Sequence, residues 1–104
     1  NYPKPLYYTL MNLLSSHDIP RIRTTFATGM NEDLPSREQQ AECVITSKMD
    51  EKGKMLARLA MAIQFFVPGM PCIYYGDEYG MHGLMDPFNR GTFFENDKET
   101  FRMF

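Results

Sequence analysis

Pro68-Gly69-Met70-Pro71-Cys72-Ile73-Tyr74-Tyr75-Gly76-Asp77-Glu78 is the stretch on which the fold turns. Within it, Pro71 to Tyr75 is a short β-branched and aromatic run with no polar alternation, closed by Gly76. That pattern predicts a fully buried strand. Immediately upstream, Leu56, Leu59, Ile63 and Phe66 recur at helical spacing, and Met55, Ala60 and Ala62 widen the apolar stripe. The spacing predicts a helix that opens at Ser47-Lys48-Met49-Asp50 and ends at Pro68-Gly69. Farther upstream, Met11 to Leu14 fits a short buried strand. It fits equally well the continuation of a helix from Lys4, because Leu6, Leu10 and Leu13 share helical spacing. Taken as a strand, it completes a strand, helix, strand order, which implies a βαβ unit and a parallel sheet. Two strands cannot bury both of their faces, so the unit is expected to belong to something larger.

The remaining chain fills in around that unit. Thr24 to Ser36 is polar, with Gly29, Asn31, Asp33 and Pro35, and reads as a loop. Ser36-Arg37-Glu38-Gln39 matches a capping box and predicts a helix from about Arg37 to Thr46. Gly76 to Gly91 is rich in Gly, Asp and Asn, as befits a long functional loop after a strand. A last helix is expected from Asn96 or Asp97. Neither end carries a start or stop signal: Tyr2-Pro3-Lys4-Pro5 reads as mid-protein sequence, and Arg102-Met103-Phe104 stops inside a helical pattern. A longer parent chain is expected.

Composition narrows the function classes. The 104 residues are 43% hydrophobic and 23% charged, enough for a packed core and against disorder. A net charge of -2 speaks against nucleic acid, which calls for a basic stripe. No apolar run approaches the roughly 20 residues of a membrane helix. Cys43 and Cys72 form neither a CxxC pair nor a zinc pattern with His17 or His82, so free thiols and a cytoplasmic setting are expected.

Polar groups concentrate in two places just after apolar runs. One is His17-Asp18; the other runs through Asp77-Glu78 to Asp86-Pro87-Phe88-Asn89-Arg90. In parallel α/β folds, ligands bind beyond the carboxyl ends of strands, so both clusters are expected at one mouth. Bland readings compete at each position. His17-Asp18 could be a helix cap, and Asp86 with Arg90 a loop salt bridge. Asp77 is assigned a buried structural role rather than a catalytic one. Arg21 is structural too, capping the loop or pairing with Asp18. Tyr74 and Tyr75 are core, His82 is a solvated loop residue, and Tyr79, Met81 and Phe88 are candidates for a ligand platform.

Three motifs in order make the pattern specific. Met11-Asn12-Leu13-Leu14-Ser15-Ser16-His17-Asp18 resembles the seventh-strand motif of glycoside hydrolase family 13, the α-amylase family. Pro68 to Glu78 resembles the eighth strand, and Asp86-Pro87-Phe88-Asn89-Arg90 resembles the loop of the neopullulanase, cyclomaltodextrinase and maltogenic amylase branch. The resemblance covers nearly the whole chain, although the polar stretch from Gly29 to Asp50 is longer than in many of these enzymes. It implies an α/β fold: residues 1–104 as the C-terminal portion of a TIM (β/α)8 barrel, strands seven and eight with flanking helices, and a largely helical character for the piece in isolation.

The resemblance also implies a retaining enzyme that hydrolyses or transfers α-glucosidic bonds in starch-like oligosaccharides or cyclodextrins. Asp18 would be its transition-state-stabilising carboxylate. His17, Asp86 and Arg90 would bind sugar hydroxyls. The family's nucleophilic Asp and acidic Glu follow strands four and five, which have no counterpart here, so the piece alone is expected to be inactive. No cofactor is implied; calcium is common in the family, with its usual ligands largely outside this region. The expected partners are an α-glucan and the remainder of the barrel. The isolated piece is expected to associate with itself through its uncovered apolar faces. A competing reading is a non-catalytic sugar-binding or scaffold relative of the same fold.

Overall fold

Met11–Leu13 forms a strand (β1), preceded by a separate helix, Lys4–Thr9 (α1), so the two readings of this region each hold for part of it. Pro3 and Pro5 favour the first helical turn, whose N–H groups have no intrahelical partner, and Leu10 leaves helical geometry at ψ 134°. The computed structural model describes residues 3–30 and 35–93. The helix expected from Asn96 or Asp97 lies outside the described residues.

Next come Ile22–Thr28 (α2), Arg37–Ala41 (α3), Ser47–Gln64 (α4) and Met70–Cys72 (β2), then single 3-10 turns at Asp77–Tyr79 and Phe88–Arg90. β1 and β2 pair in parallel, with Met11 opposite Met70, Asn12 opposite Pro71 and Leu13 opposite Cys72. The crossover between them is helical, as the strand, helix, strand order requires.

α2 takes in the first five residues, Thr24 to Thr28, of what composition reads as a loop. Ile22, Thr24, Thr25 and Thr28 are β-branched and poor helix formers, but Arg23, Thr24 and Ala27 are buried, and packing on α4 outweighs propensity. Gly29, at φ 74°, closes the helix by donating its N–H to the Thr25 carbonyl at 2.8 Å. The two helices approach closely at Gly53: a Cβ there would lie 2.5 Å from the Arg23 carbonyl oxygen.

The Ser36 capping box forms as expected, with both reciprocal bonds to Gln39. Its helix is shorter than expected, ending at Ala41 rather than Thr46. Thr46 is instead the N-cap of α4, its hydroxyl accepting from the Met49 N–H at 3.4 Å, in place of the opening at Ser47.

α4 buries Gly53, Ala57, Met61 and Gln64, a narrow face that is small in its first half and larger in its second, against the rest of the chain. The predicted stripe faces the other way: Met55, Leu59, Ile63 and Phe66 are all more than half exposed. β2 departs from expectation in the same sense. It is the three-residue Met70–Cys72 and not the five-residue Pro71 to Tyr75, and Pro71 is exposed rather than buried. Both departures have one cause: the chain has apolar surface on both sides of its sheet and helix, and the described residues cover one.

The covered side is unusually polar. Among the described residues, Ala27, Ala57, Met61, Met81 and Leu84 are the buried hydrophobic ones, against eight buried polar or charged ones. Hydrogen bonds must therefore specify the packing. Gln64 shows how. Its buried amide donates to the Asn12 carbonyl of β1 and, at 3.0 Å, to the Cys72 carbonyl of β2, tying α4 to both strands. No described helix is long and apolar enough to cross a membrane.

A candidate carbohydrate site beyond the parallel strands

The chain leaves β1 through Leu14 and Ser15 into a tight turn, closed by an antiparallel bridge between Ser16 and Ile19. His17 and Asp18 occupy its tip. The Asp18 N–H donates to Ser16 Oγ at 3.1 Å, and His17 Nε2 lies 3.3 Å from Asp18 Oδ2. Their side chains are 59% and 75% exposed, so they face solvent and do not serve the core. The helix-cap alternative does not apply, because α2 has Arg21 at its N-cap and no side-chain cap bond.

Asp86 and Arg90 form an ion pair across one turn, Nε to Oδ1 at 2.7 Å, with both side chains about half exposed. Between them sits Asn89, fully buried. Its Nδ2 lies 3.2 Å from the Ser16 carbonyl, 3.0 Å from that of His17 and 2.9 Å from that of Ile19. The two polar clusters foreseen from sequence are thus joined through one side chain. Asn89 was visible only as a letter inside the Asp86-to-Arg90 motif; nothing in its local context marks it as the link.

Beneath this rim lies a buried ion pair. Arg21 Nη1 donates to the Tyr75 carbonyl at 2.6 Å and to Asp77 Oδ1 at 3.0 Å. Its Cζ lies 4.7 Å from the ring centroids of both Tyr74 and Tyr75. Burial pushes the Asp77 carboxyl up to about 6, against the opposing pull of the Ser15 hydroxyl and the Arg21 guanidinium. Ser15 Oγ also accepts from the Ile22 N–H at 2.8 Å, so this residue joins the end of β1 to α2 and to Asp77. The buried, hydrogen-bonded role expected of Asp77 is met. Arg21 is structural, but pairs with Asp77 and not with Asp18.

Four other expectations change. His82 is not a solvated loop residue: its Nε2 lies 2.7 Å from Asp50 Oδ1 and its Nδ1 3.1 Å from Thr24 Oγ1. The Asp50 carboxylate can only accept, so the neutral ring carries its proton on Nε2 and Nδ1 accepts from the Thr24 hydroxyl, whose oxygen also accepts from the Gly83 N–H at 2.8 Å. Met81 is only 1% exposed and belongs to the core, which removes it from any sugar platform. Tyr75 is 40% exposed rather than core, and its hydroxyl donates to the Gly91 carbonyl at 2.9 Å. Tyr74 is half-buried, and burial raises its hydroxyl pKa. Tyr79 and Phe88 remain half-buried on the loop, Tyr79 edge-on to Phe93 at 5.3 Å. Among the described residues no group of three or more His, Cys, Asp or Glu side chains could hold a metal ion.

The features so far define a class: an α/β unit with a parallel strand pair and a carboxylate-bearing polar rim joined to the carboxyl end of β1. Comparison with known proteins makes it narrower. The chain is 45% identical over 92 residues to an amylopullulanase of Thermoanaerobacter thermohydrosulfuricus, covering 88% of this chain and 6% of that protein. It is 37% identical over 86 residues to a cyclomaltodextrinase of a Bacillus species, covering 83% of this chain and 11% of that protein. Neopullulanase 2 of Thermoactinomyces vulgaris is 36% identical over 98 residues, which is 94% of this chain and 13% of that protein. The chain thus spans a small part of the length of these curated relatives. No protein-family model and no solved structure matches it. The chain belongs to the α-amylase family, glycoside hydrolase family 13, on its neopullulanase-like branch.

Proposed function

We propose that this chain is the strand-seven and strand-eight portion of a (β/α)8 barrel whose enzyme cleaves or transfers α-glucosidic bonds in starch-like oligosaccharides or cyclodextrins. The observation that carries the reading is the attachment of the exposed His17-Asp18 turn to the Asp86-Arg90 loop through Asn89. It assembles an acceptor carboxylate, an imidazole and a planar donor fork around one solvent-facing rim. The names of the relatives supply the substrate class.

In this reading Asp18 accepts hydrogen bonds from hydroxyls of the distorted sugar. Its fixed negative charge favours the oxocarbenium-like transition state more than the ground state. His17 presents a second hydroxyl partner beside it. Arg90 donates from its fork and Asp86 accepts, so together they hold a diol of a sugar farther from the cleaved bond. A retaining mechanism needs in addition a nucleophilic carboxylate and a general acid. We assign these to an Asp and a Glu of the remaining barrel. The outward stripe of α4 and the exposed strand residues are then surfaces for that remainder.

The full-length enzyme with Asp18→Asn tests the site. Loss of a preorganised charge of this kind is expected to lower kcat by about 10²–10³-fold, with a smaller change in KM. A kcat within a few-fold of the parent on maltotriose and on a cyclodextrin overturns the role of Asp18. The isolated chain should turn over neither substrate and should self-associate, which light scattering reads; turnover by it would remove the need for carboxylates elsewhere.

A further inference from the structure

We infer that Asn89 is a positioning residue for Asp18, and that it sets the distance between the sugar held at Asp18 and the sugar held by Asp86 and Arg90. The inference rests on the site reading above and goes beyond it, since neither the residue nor the coupling belongs to the roles assigned there.

Three carbonyl oxygens converge on one nitrogen. Ser16, His17 and Ile19 point theirs at Asn89 Nδ2 from 3.2, 3.0 and 2.9 Å. Carbonyl oxygens repel one another, so the convergence needs a donor at its centre. The amide orientation is therefore fixed by chemistry, with nitrogen and not oxygen facing the turn. An NH2 group has two hydrogens for three acceptors, so at least one hydrogen is shared. Asn89 is fully buried, so its amide cannot exchange these bonds for bonds to bulk water, which makes them costly to lose.

The bonded carbonyls are those that matter for Asp18. The His17 carbonyl belongs to the peptide unit directly before Asp18, and the Ile19 carbonyl to the one that leaves the turn. Within the turn itself, the Ser16–Ile19 bridge and the Asp18 N–H to Ser16 Oγ bond hold its shape. Both of those ties are internal to the turn. Asn89 supplies side-chain bonds that fix the turn relative to another segment.

That segment is itself anchored. Asn89 is the middle residue of the Phe88–Arg90 3-10 turn, in which the Phe88 N–H bonds to the Met85 carbonyl and the Arg90 N–H to the Pro87 carbonyl. Its backbone packs so closely on Gly83 that a Cβ there would lie 2.7 Å from the Asn89 Cα. Gly83 in turn accepts from the Arg21 N–H at 2.9 Å, three residues past Asp18. Arg90 leaves the chain one residue after Asn89 and pairs with Asp86. One amide thus spans from the carboxylate turn to the loop with the planar fork.

The test uses the full-length enzyme with Asn89→Ala, and with Asn89→Asp, which keeps the size but turns a carboxylate on three carbonyls. A displacement of about 1 Å can cost about 10²-fold in rate, so kcat should fall by about that factor in a variant that still melts cooperatively. The distinguishing readout is a double-mutant cycle. In an Asp18→Asn background, Asn89→Ala should change kcat by less than about twofold, because the group it positions is gone. The spacing claim adds that, along a series of maltooligosaccharides from two to six glucose units, the loss should grow once the substrate is long enough to reach both subsites.

A folded Asn89→Ala enzyme with parental kcat, or full additivity with Asp18→Asn, overturns the inference while leaving the site reading intact. An Asp18→Asn enzyme of parental kcat overturns the site reading instead. If Asn89→Ala and Asn89→Asp both fail to fold, Asn89→Ser, which keeps one O–H donor, takes their place. Failure of all three to fold assigns Asn89 to stability alone and overturns positioning.

Discussion

Arg21 and Arg23 stand two residues apart, are both buried, and hold carboxylates in opposite ways. Arg23 meets Asp50 with two parallel bonds, Nε to Oδ1 at 2.8 Å and Nη2 to Oδ2 at 2.9 Å. Asp50 stays 32% exposed and takes a third bond from His82. Bonding to the Arg23 guanidinium holds its carboxyl below the usual range, more than burial raises it. Arg21 meets Asp77 through Nη1 alone, and the same atom serves the Tyr75 carbonyl. Among the described residues, Arg21 Nε and Nη2 have no hydrogen-bond partner. Asp77 is 4% exposed, and there burial outweighs the pairing. The same pair of residue types thus gives opposite shifts, and solvent access to the carboxylate decides which. The partnered pair fastens α2 to α4. The sparer one lies beneath the candidate site, where it holds the end of the second strand run against the segment that follows the Asp18 turn.

The largest expected effect breaks the buried pair. Arg21→Met leaves Asp77 buried opposite an apolar side chain and should cost about 3–5 kcal/mol of stability at neutral pH, read by urea unfolding. Adding Asp77→Leu should return most of that loss, since neither charge then has to be buried. A single-variant loss below about 1 kcal/mol would mean that Asp77 is neutral or solvated in the folded protein, and the contrast between the two arginines would collapse. The partnered pair should give less. Asp50→Asn removes a charge from two bonds to Arg23 but leaves a polar partner and partial solvation, for a loss of about 1.5–3 kcal/mol. If Asp50→Asn proves the costlier of the two substitutions, the ranking by burial is wrong.

Neither pair was legible as such in the sequence, and the reason is separation. Arg21 lies 56 residues before Asp77, and Arg23 lies 27 before Asp50. Local pattern assigns Asp77 a buried role but cannot name its partner, and it offers Asp18 to Arg21 because Asp18 is near. What local rules govern came through: the Ser36 capping box, the body of α4, and the parallel pairing that a helical crossover demands. Where tertiary packing competes with propensity, they misled. The Thr-rich α2 reads as loop because its stability comes from α4, and α4's apolar stripe reads as a core face although Gly53, Ala57, Met61 and Gln64 are the residues it buries. The site divides the same way. His17, Asp18, Asp86 and Arg90 stand out as polar residues after apolar runs. Asn89, which joins them, does its work through backbone carbonyls 70 to 73 residues away, and backbone carbonyls carry no sequence signature.

The smallest effect separates the two networks by the sign of their pH dependence. Asp77 has a folded pKa of about 6, above the unfolded carboxylate value near 3.8. The folded state therefore binds the proton more tightly, and this group's contribution is full below about pH 4 and is lost as pH rises through about 6. Asp50 is depressed, so its contribution is present above the unfolded value and is lost as pH falls through the folded one. His82 is also depressed, chiefly by burial, against the pull of Asp50. Its contribution is present above about 6.5 and is lost as acid forces the ring to charge. On acidification below about pH 6, then, Asp77 stabilises the protein, whereas His82 destabilises it as the pH falls from about 6.5 towards its lower folded value. The slopes are bounded by about 1.4 kcal/mol per pH unit per group. Stability measured against pH should fall more steeply in acid for Asp77→Asn than for the parent, and less steeply for His82→Gln. Parallel curves for the two variants would show that burial does not favour the neutral form at both sites; curves that diverge from the parent in opposite directions are what burial of an acid and of a base predicts.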